Sequence, residues 1–271
     1  MTTAPVAERP TAPPPDHVRS AFGVRDAEAT LLDRGPVWRC GDAVIKPVAN
    51  NTRAVWVART LDALDVDSLR LARPLRSSDG RWVVSGWTAS RYLEGRAEPR
   101  HDEVVAVAQR LHAASADLSR PAFLDDRFDI YATAEAAAWG EIDPELPDRQ
   151  GGDAFGQLAA ARRPVDLRPQ VVHGDLFGNV LFAGAAPPGV VDLIPCWRPP
   201  EWAAAVVVVD ALAWGGADAG LMHRWSSLPE WPQVLLRALL FRIAVHALHP
   251  WAGEQSLAGL RRAVSLVREL L

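Results

Sequence analysis

Three short apolar segments inside a helix-forming half of the chain restrict its fold more than any other sequence feature. They lie within residues 170–194 and read QVVHGD, NVLF and GVVDLI. Each is shorter than a typical helix, and each is rich in the β-branched residues that favour strands. Runs with helical spacing lie before and after them, at residues 101–116, 202–214, 231–248 and 255–270. The pattern predicts a few short strands embedded in a helical domain.

The first part of the chain has a mixed pattern. Residues 37–48, VWRCGDAVIKPV, contain a Gly-Asp turn between two strand-like runs, which predicts a hairpin. Residues 50–52 can cap a helix that continues to about residue 64, and strand-like residues follow at 81–93. The predicted fold class is α+β, with an antiparallel sheet and one helix in a small N-terminal lobe and a large, mainly helical C-terminal lobe.

The same patterns predict the domain boundaries. Residues 1–15 contain five prolines and almost no large apolar side chain, which is typical of a flexible tail. The sequence then predicts an N-terminal lobe at residues 16–90 and a helical C-terminal lobe at residues 91–271.

Charge and composition disfavour several functional classes. The net charge of −4 offers no basic field for nucleic acid or an anionic membrane. The longest nearly apolar run, residues 203–214, contains Asp210 and is too short to cross a bilayer. Cys40 and Cys196 form neither a disulfide framework nor a zinc-binding spacing. No secretory signal pattern is visible, so we expect a cytoplasmic protein without nucleic-acid or membrane partners.

One basic residue differs in type from all the others. Of 29 Lys and Arg residues, 28 are Arg and the single Lys is Lys46. Lysine carries a compact charge on a flexible stem, whereas arginine carries a wide planar fork. The sequence therefore indicates either a site at Lys46 where a guanidinium does not serve, or a lysine that remained by chance.

The short strands carry a polar constellation. Asp175 follows the first strand, Asn179 opens the second, and Asp192 follows Gly189-Val190-Val191. We expect these three side chains to converge at one end of a small hairpin. Two carboxylates and an amide oxygen are hard ligands suited to Mg²⁺, or Asp175 accepts a hydroxyl proton while Asn179 and Asp192 hold the metal. The alternative is an ordinary turn with helix-capping aspartates.

These residues resemble the aminoglycoside phosphotransferase and choline kinase superfamily, which shares the protein-kinase-like fold. The resemblance runs in order over nearly the whole chain from about residue 20, and includes an uncharacterised bacterial branch. The matching segments are Val44-Ile45-Lys46, SSDGRWVVSGWTASRYLEGR from residue 77, Ala108 to His112, HGDLFGNVLF from His173, and Asp210 to Ala213.

The resemblance implies Mg²⁺-dependent phosphoryl transfer from ATP or GTP to a small-molecule hydroxyl, with Asp175 orienting and deprotonating the acceptor. The other roles it implies are phosphate binding by Lys46, adenine binding by the backbone around Trp87, Thr88 and Ala89, Mg²⁺ binding by Asn179 and Asp192, and support of the catalytic loop by His173 and Asp210.

Two departures from the family pattern keep another function open. The loop from Asp175 to Asn179 is one residue shorter than in the family, and the helix after Lys46 has no Glu. Asp62 is the one acid on that helix that can pair with Lys46. The alternative is a catalytically impaired, pseudokinase-like protein that binds nucleotide or regulates a partner.

The distribution of acids bears on the acceptor. Residues 117–170 hold 11 acids and 6 Arg, whereas residues 221–271 hold 3 acids and 6 Arg. A polycationic aminoglycoside requires acidic walls, so we expect a sugar, an amino alcohol or a related metabolite as the acceptor. The oligomeric state stays open.

Overall fold

The computed structural model describes residues 12–33, 35–250 and 252–270. Residues 1–11 of the predicted tail lie outside this part of the chain. Residues 12–15 are described and precede the first helix, which begins at Asp16.

Helices and strands alternate in the first part of the chain, and helices dominate the rest. The helices are α1 Asp16–Ala21, α2 Asn51–Ala63, α3 His101–Ala114, α4 Ile130–Trp139, α5 Gly152–Ala159, α6 Pro200–Ala213, α7 Gly220–Arg224, α8 Trp231–Leu248 and α9 Glu254–Arg268, with 3₁₀ turns at Ala122–Leu124 and Asp148–Gln150. The strands are β1 Ala29–Leu31, β2 Trp38–Cys40, β3 Ala43–Pro47, β4 Arg70–Leu71, β5 Pro74–Leu75, β6 Val83–Val84, β7 Trp87–Arg91, β8 Gln170–His173, β9 Val180–Ala183, β10 Ala186–Val190 and β11 Pro195–Arg198.

The chain forms two compact units, and each is built from two separate stretches. The N-terminal unit comprises described residues up to 96 together with 180–193, and the C-terminal unit comprises residues 97–179 together with 194 onward. This division differs from the single boundary predicted at residue 90. The reason is strand pairing: β10 pairs in parallel with β4 and antiparallel with β9, so the β9–β10 hairpin belongs to the N-terminal unit.

An antiparallel sheet forms most of the N-terminal unit, in the order β1-β2-β3-β7-β5 with β6 on β7. The predicted hairpin is confirmed: β2 and β3 pair through Cys40 and Ala43, and Gly41 turns the chain at a φ of 60° that suits glycine. The predicted helix is confirmed as well. Its N-cap is Asn50, whose side chain accepts a hydrogen bond from the Arg53 amide at 3.0 Å.

Two central helices form the core of the C-terminal unit. In α6 every residue from Trp202 to Ala213 is buried, which explains why its sequence is apolar on all sides. The helix packs against α3, α8 and α9. Trp202 makes edge-on contacts with Trp139 of α4 and Phe241 of α8. The α+β fold class predicted from sequence is confirmed.

The helix α8 meets the length and hydropathy criteria of a membrane span, but 78% of it is buried inside the protein. Its apolar residues pack in the core of the C-terminal unit. Two arginines of α8, Arg237 and Arg242, are buried with them. Burial of arginine requires partners, and those of Arg242 lie at the candidate site.

Candidate active site

The segment His173-Gly174-Asp175 leaves β8 in a tight turn beside β11. The two strands pair antiparallel, with Pro195 opposite His173, and the Gly174 amide donates to the Ile194 carbonyl at 2.8 Å. A Cβ at residue 174 would lie 2.5 Å from Cys196 Sγ, closer than real Cβ contacts. Glycine is therefore required here, because the loop passes directly over a buried side chain.

A chain of hydrogen bonds holds the backbone of the loop. His173 Nδ1 accepts from the Asp175 amide at 3.0 Å, and the His173 amide donates to Nε2 of His112 on α3 at 3.0 Å. Both histidines are buried. Burial, with a smaller contribution from the charge of His173, lowers the pKa of His112 to about 3, so His112 stays neutral and able to accept this bond. The structure thus places His173 as a support of the loop.

The carboxylate of Asp175 is held from another helix. Arg242 of α8 donates from Nη2 to Asp175 Oδ1 at 2.6 Å. The same guanidinium donates from Nε to Asp210 Oδ1 at 2.7 Å, and from Nη2 to Asp210 Oδ2. Asp210 and Arg242 are buried, whereas the Asp175 side chain is 37% exposed. The remaining oxygen of Asp175, Oδ2, is the atom left for a ligand.

The family resemblance implies that Asp210 supports the catalytic loop, and it names no partner for the carboxylate. In the structure both carboxylate oxygens of Asp210 accept from Arg242. Burial raises the pKa of Asp210 to about 6, although the charge of Arg242 acts in the opposite direction.

The short loop closes on itself at Asn179. Its Nδ2 donates to the Asp175 carbonyl at 2.7 Å, and its amide donates to the Leu176 carbonyl at 2.8 Å. Because the side-chain nitrogen Nδ2 donates to Asp175, the side-chain oxygen Oδ1 is the atom of Asn179 that remains for a cation. The loop that is one residue short therefore has a defined geometry.

The N-terminal unit holds the other predicted pair. Lys46 of β3 lies with Nζ 2.7 Å from Asp192 Oδ2, in an ion pair whose side chains are about one-third exposed. Asp192 Oδ1 accepts from the Leu193 amide at 2.8 Å. Asp62 takes no part in this pair: it is exposed near the end of α2, and in the described residues no ion pair joins it to Lys46.

The three residues predicted to bind adenine differ in the face of the sheet they occupy. Thr88 pairs with Lys46 across β3 and β7, so the two side chains share a face. Trp87 and Ala89 pack with the core cluster on the opposite face. All three lie between β3 on one side and β5 or β6 on the other. Their backbone groups are therefore engaged in pairing with the neighbouring strands. Of the three residues, Thr88 is the one whose side chain lies on the same face as Lys46.

The donor set can be tested against Mg²⁺. In the described part of the chain, no three His, Cys, Asp or Glu side chains cluster as a closed metal site. Magnesium uses one or two protein carboxylates and completes its coordination with water and phosphate oxygens. The Asp192 carboxylate in the N-terminal unit and the side-chain oxygen of Asn179 in the C-terminal unit are each hard donors of the kind that such an ion accepts.

The sequence motifs do not point to Arg242, and His112 is indicated only by the family resemblance. One signal was available for Arg242: two arginines, Arg237 and Arg242, interrupt the apolar sequence of α8. A charge in the middle of a buried helix requires a partner. The pattern does not say which partner, since acids occur throughout the chain.

Comparisons with solved structures identify related folds. The aminoglycoside phosphotransferase APH(4)-Ia, in a ternary complex with AMP-PNP and hygromycin B, aligns with a TM-score of 0.59 and 14% identity, covering 93% of this chain and 97% of the other. Choline kinase LicA from Streptococcus pneumoniae aligns with a TM-score of 0.57 and 12% identity, covering 94% and 97%. A choline/ethanolamine kinase family protein from Mesorhizobium loti aligns with 0.53 and 16%, covering 94% and 99%. At such low identities, these alignments show a shared fold and no more.

Sequence comparison gives the family. A search of curated proteins found no match. The model of the phosphotransferase enzyme family, APH, matches residues 46–235, which is more than half of the chain and runs from Lys46 through Asp175 and Asp192 to α8. The chain therefore belongs to the phosphotransferase enzyme family.

Proposed function

We propose that this protein is a small-molecule kinase that transfers the γ-phosphoryl group of ATP or GTP to an acceptor hydroxyl in the presence of Mg²⁺. The observation that carries the proposal is the way in which neighbouring residues hold Asp175 in place. Its amide, its carbonyl and one carboxylate oxygen each have a protein partner. A carboxylate positioned so completely, with one oxygen left over, suits an acceptor hydroxyl that must be oriented.

The roles of the residues follow from their groups. Asp175 Oδ2 accepts the hydrogen bond of the acceptor hydroxyl and then its proton. The bond that forms joins the acceptor oxygen to the γ-phosphorus, and the bond that breaks joins that phosphorus to the β–γ bridging oxygen, so the nucleoside diphosphate leaves. Lys46 binds phosphate oxygens through its ammonium group. Asp192 and Asn179 are the residues that would hold Mg²⁺, as the family resemblance implies, and the ion would supply charge neutralisation.

The ion pairs of the C-terminal unit favour an acceptor that is not a polycation. In the acid-rich segment 117–170, Asp125, Asp129, Glu135 and Glu141 are each paired with an arginine. The charge of these four acids, out of eleven in the segment, is offset within the unit, so fewer acids remain for a cationic ligand than the composition alone suggests. This supports the predicted sugar, amino alcohol or related metabolite over an aminoglycoside.

An aromatic side chain of the C-terminal unit supports the same acceptor class. Tyr131 of α4 is 44% exposed, and its pKa is raised by burial and by the negative charge of Asp175. A partly exposed ring in the same unit as Asp175 is suited to stack against a sugar or a compact apolar surface.

The second candidate is a nucleotide-binding protein without catalysis. The observation that favours it is the ion pair of Lys46 with Asp192, since each group is predicted to bind a different part of the metal-nucleotide. The complete set of Lys46, Asp175, Asn179 and Asp192, together with the defined loop geometry, favours the kinase.

Two measurements on the purified protein separate these functions. The first is the thermal midpoint at millimolar ATP or GTP, with and without Mg²⁺. A ligand that binds only the folded protein raises its stability, so we expect an increase that requires Mg²⁺. The second is a screen of sugars and amino alcohols for nucleotide-dependent phosphorylation. A midpoint shift without any phosphorylated product supports the binding protein, and no shift contradicts both.

A further inference from the structure

We infer that Arg242 is a positioning residue for the phosphoryl transfer: it holds Asp175 Oδ1 so that Oδ2 faces the acceptor hydroxyl. The inference rests on the proposed function and deepens it. Arg242 belongs to α8, 67 residues from Asp175, and neither the family resemblance nor the local motif pointed to it.

The geometry uses the shape of the guanidinium. Nε and Nη2 contact the two oxygens of Asp210 side by side, and Nη2 also reaches Asp175 Oδ1. The planar fork fixes the direction of each N–H bond once one carboxylate is engaged. Asp210 thereby orients Arg242, and Arg242 orients Asp175. A lysine offers a single nitrogen on a flexible stem and cannot reproduce both contacts.

The charges of the three side chains are matched to this arrangement. Asp210, buried at 2% exposure, neutralises the guanidinium and satisfies two of its donors. Asp175 receives one N–H bond, and the group of three retains one net negative charge. Asp175, whose side chain is 37% exposed, shares the guanidinium with Asp210 and keeps its second oxygen for the acceptor hydroxyl.

Burial separates this arrangement from a surface ion pair. The side chain of Arg242 is 7% exposed, so its contacts are shielded from water and salt. The backbone of Asp175 is held separately, by His173 and Asn179. Loss of Arg242 should thus release the carboxylate to rotate about its side-chain torsions while the loop keeps its path. A misplacement of about 1 Å can reduce turnover by about 10²-fold.

The test compares Arg242→Lys and Arg242→Ala with Arg237→Ala. Arg237 is the matched control because it is a second buried arginine of α8, and its partners are Gln233 and the Arg163 carbonyl. For each protein we would measure Mg²⁺-ATP hydrolysis with water as the acceptor, transfer to any acceptor found in the screen, and the thermal midpoint shift caused by Mg²⁺-ATP.

We expect kcat to fall by about 10²-fold in Arg242→Ala and by at least roughly tenfold in Arg242→Lys. The KM for ATP and the Mg²⁺-ATP midpoint shift should stay within about twofold of wild type. Guanidinium ion at low millimolar concentration should restore kcat in Arg242→Ala and leave Arg237→Ala unchanged. Recovery of kcat in Arg242→Ala alone would show that the guanidinium group acts in turnover. A general structural defect from the loss of a buried arginine would instead appear in Arg237→Ala as well.

Three results would overturn the inference: wild-type kcat in Arg242→Lys, an equal loss of kcat in Arg237→Ala, or guanidinium that restores the thermal midpoint without kcat. If Arg242→Ala does not fold, the kcat and KM of Arg242→Lys decide. The failure of the proposed function looks different, because wild-type protein would then show no turnover with water or any acceptor, and there would be no reaction for Arg242 to serve.

Discussion

Asp175 and Asp192 are both carboxylates at the ends of short strands, but their surroundings differ. Asp175 has its amide, carbonyl and one oxygen engaged by His173, Asn179 and Arg242. Asp192 has one neighbouring amide and a partly exposed lysine among its partners. The first is fixed by groups that come from several parts of the C-terminal unit. The second lies in an ion pair whose side chains are about one-third exposed, and an incoming ligand can exchange with its lysine.

The difference corresponds to two kinds of task. Orienting a hydroxyl requires a carboxylate that stays in place before the substrate binds, because rate depends steeply on geometry. Binding a metal-nucleotide requires groups that can exchange their contact with each other for contacts with the metal ion and the phosphates. An ion pair between partly exposed side chains is worth about 0–1 kcal/mol, so its exchange has a low energetic cost.

The largest expected effect is that of Asp175→Asn. Replacing the base should reduce turnover by roughly 10²–10⁴-fold, while the Mg²⁺-ATP midpoint shift stays near wild type. Single-turnover phosphorylation and thermal melting measure the two quantities. Asp166→Asn is the control, since Asp166 is an exposed acid of the same unit. Full turnover in Asp175→Asn would show that the held carboxylate is not the base.

The buried histidine should make the C-terminal unit acid-sensitive. The unfolded chain binds a proton at His112 below pH about 6.5, whereas the folded protein keeps His112 neutral because its pKa is lowered to about 3. The unfolded state therefore binds more protons between these values, and stability falls as the pH falls. The loss attributable to His112 between pH 7 and pH 4 is about 3 kcal/mol.

Urea unfolding of wild type and His112→Gln at both pH values measures this contribution. Glutamine retains an acceptor oxygen for the His173 amide and does not titrate, so the variant should lose less stability on acidification. Equal losses in the two proteins would mean that His112 does not carry the acid sensitivity.

A methyl group at Gly174 should disturb the tight loop. Its Cβ would meet Cys196 Sγ at 2.5 Å, and overpacking of this kind costs about 1–3 kcal/mol. The companion change Cys196→Ala removes the sulfur, so the double variant should regain much of the stability lost in Gly174→Ala. Gly156→Ala is the control, because a Cβ there meets nothing within 4 Å. An unaffected Gly174→Ala would contradict the close approach.

The smallest effect on stability is expected at Lys46. Lys46→Arg and Asp192→Asn should each change the free energy of unfolding by less than about 1 kcal/mol, since the ion pair is partly exposed. Both should nevertheless reduce the Mg²⁺-ATP midpoint shift. Lys46→Arg conserves charge, so a wild-type shift in that variant would indicate that Lys46 remained by chance. A large loss of stability in either variant would remove the contrast with Asp175.

Much of the local structure could be predicted from the sequence. The alternation of apolar residues, the Gly-Asp turn at residues 41–42 and the cap at Asn50 depend on neighbours within a few positions. They identified the hairpin, α2 and the long helices of the C-terminal unit. The short apolar segments correctly indicated strands at β8 and β9, whereas only Gly189 and Val190 of the third segment lie in β10, which begins at Ala186. The motif at residues 173–179 located the loop that carries Asp175.

The sequence by itself therefore determined the α+β class, the succession of a mixed region and a mainly helical region, and the polar residues after the short strands, because these depend on local conformational preferences and hydrophobic periodicity. Only the tertiary structure decided that the β9–β10 hairpin joins β4, that Lys46 pairs with Asp192 rather than Asp62, and that Arg242 reaches Asp175. The physical reason is that such contacts join distant segments, and their partners depend on how helices and strands pack. In a chain with 28 arginines, composition does not distinguish the one that touches a carboxylate at the active site.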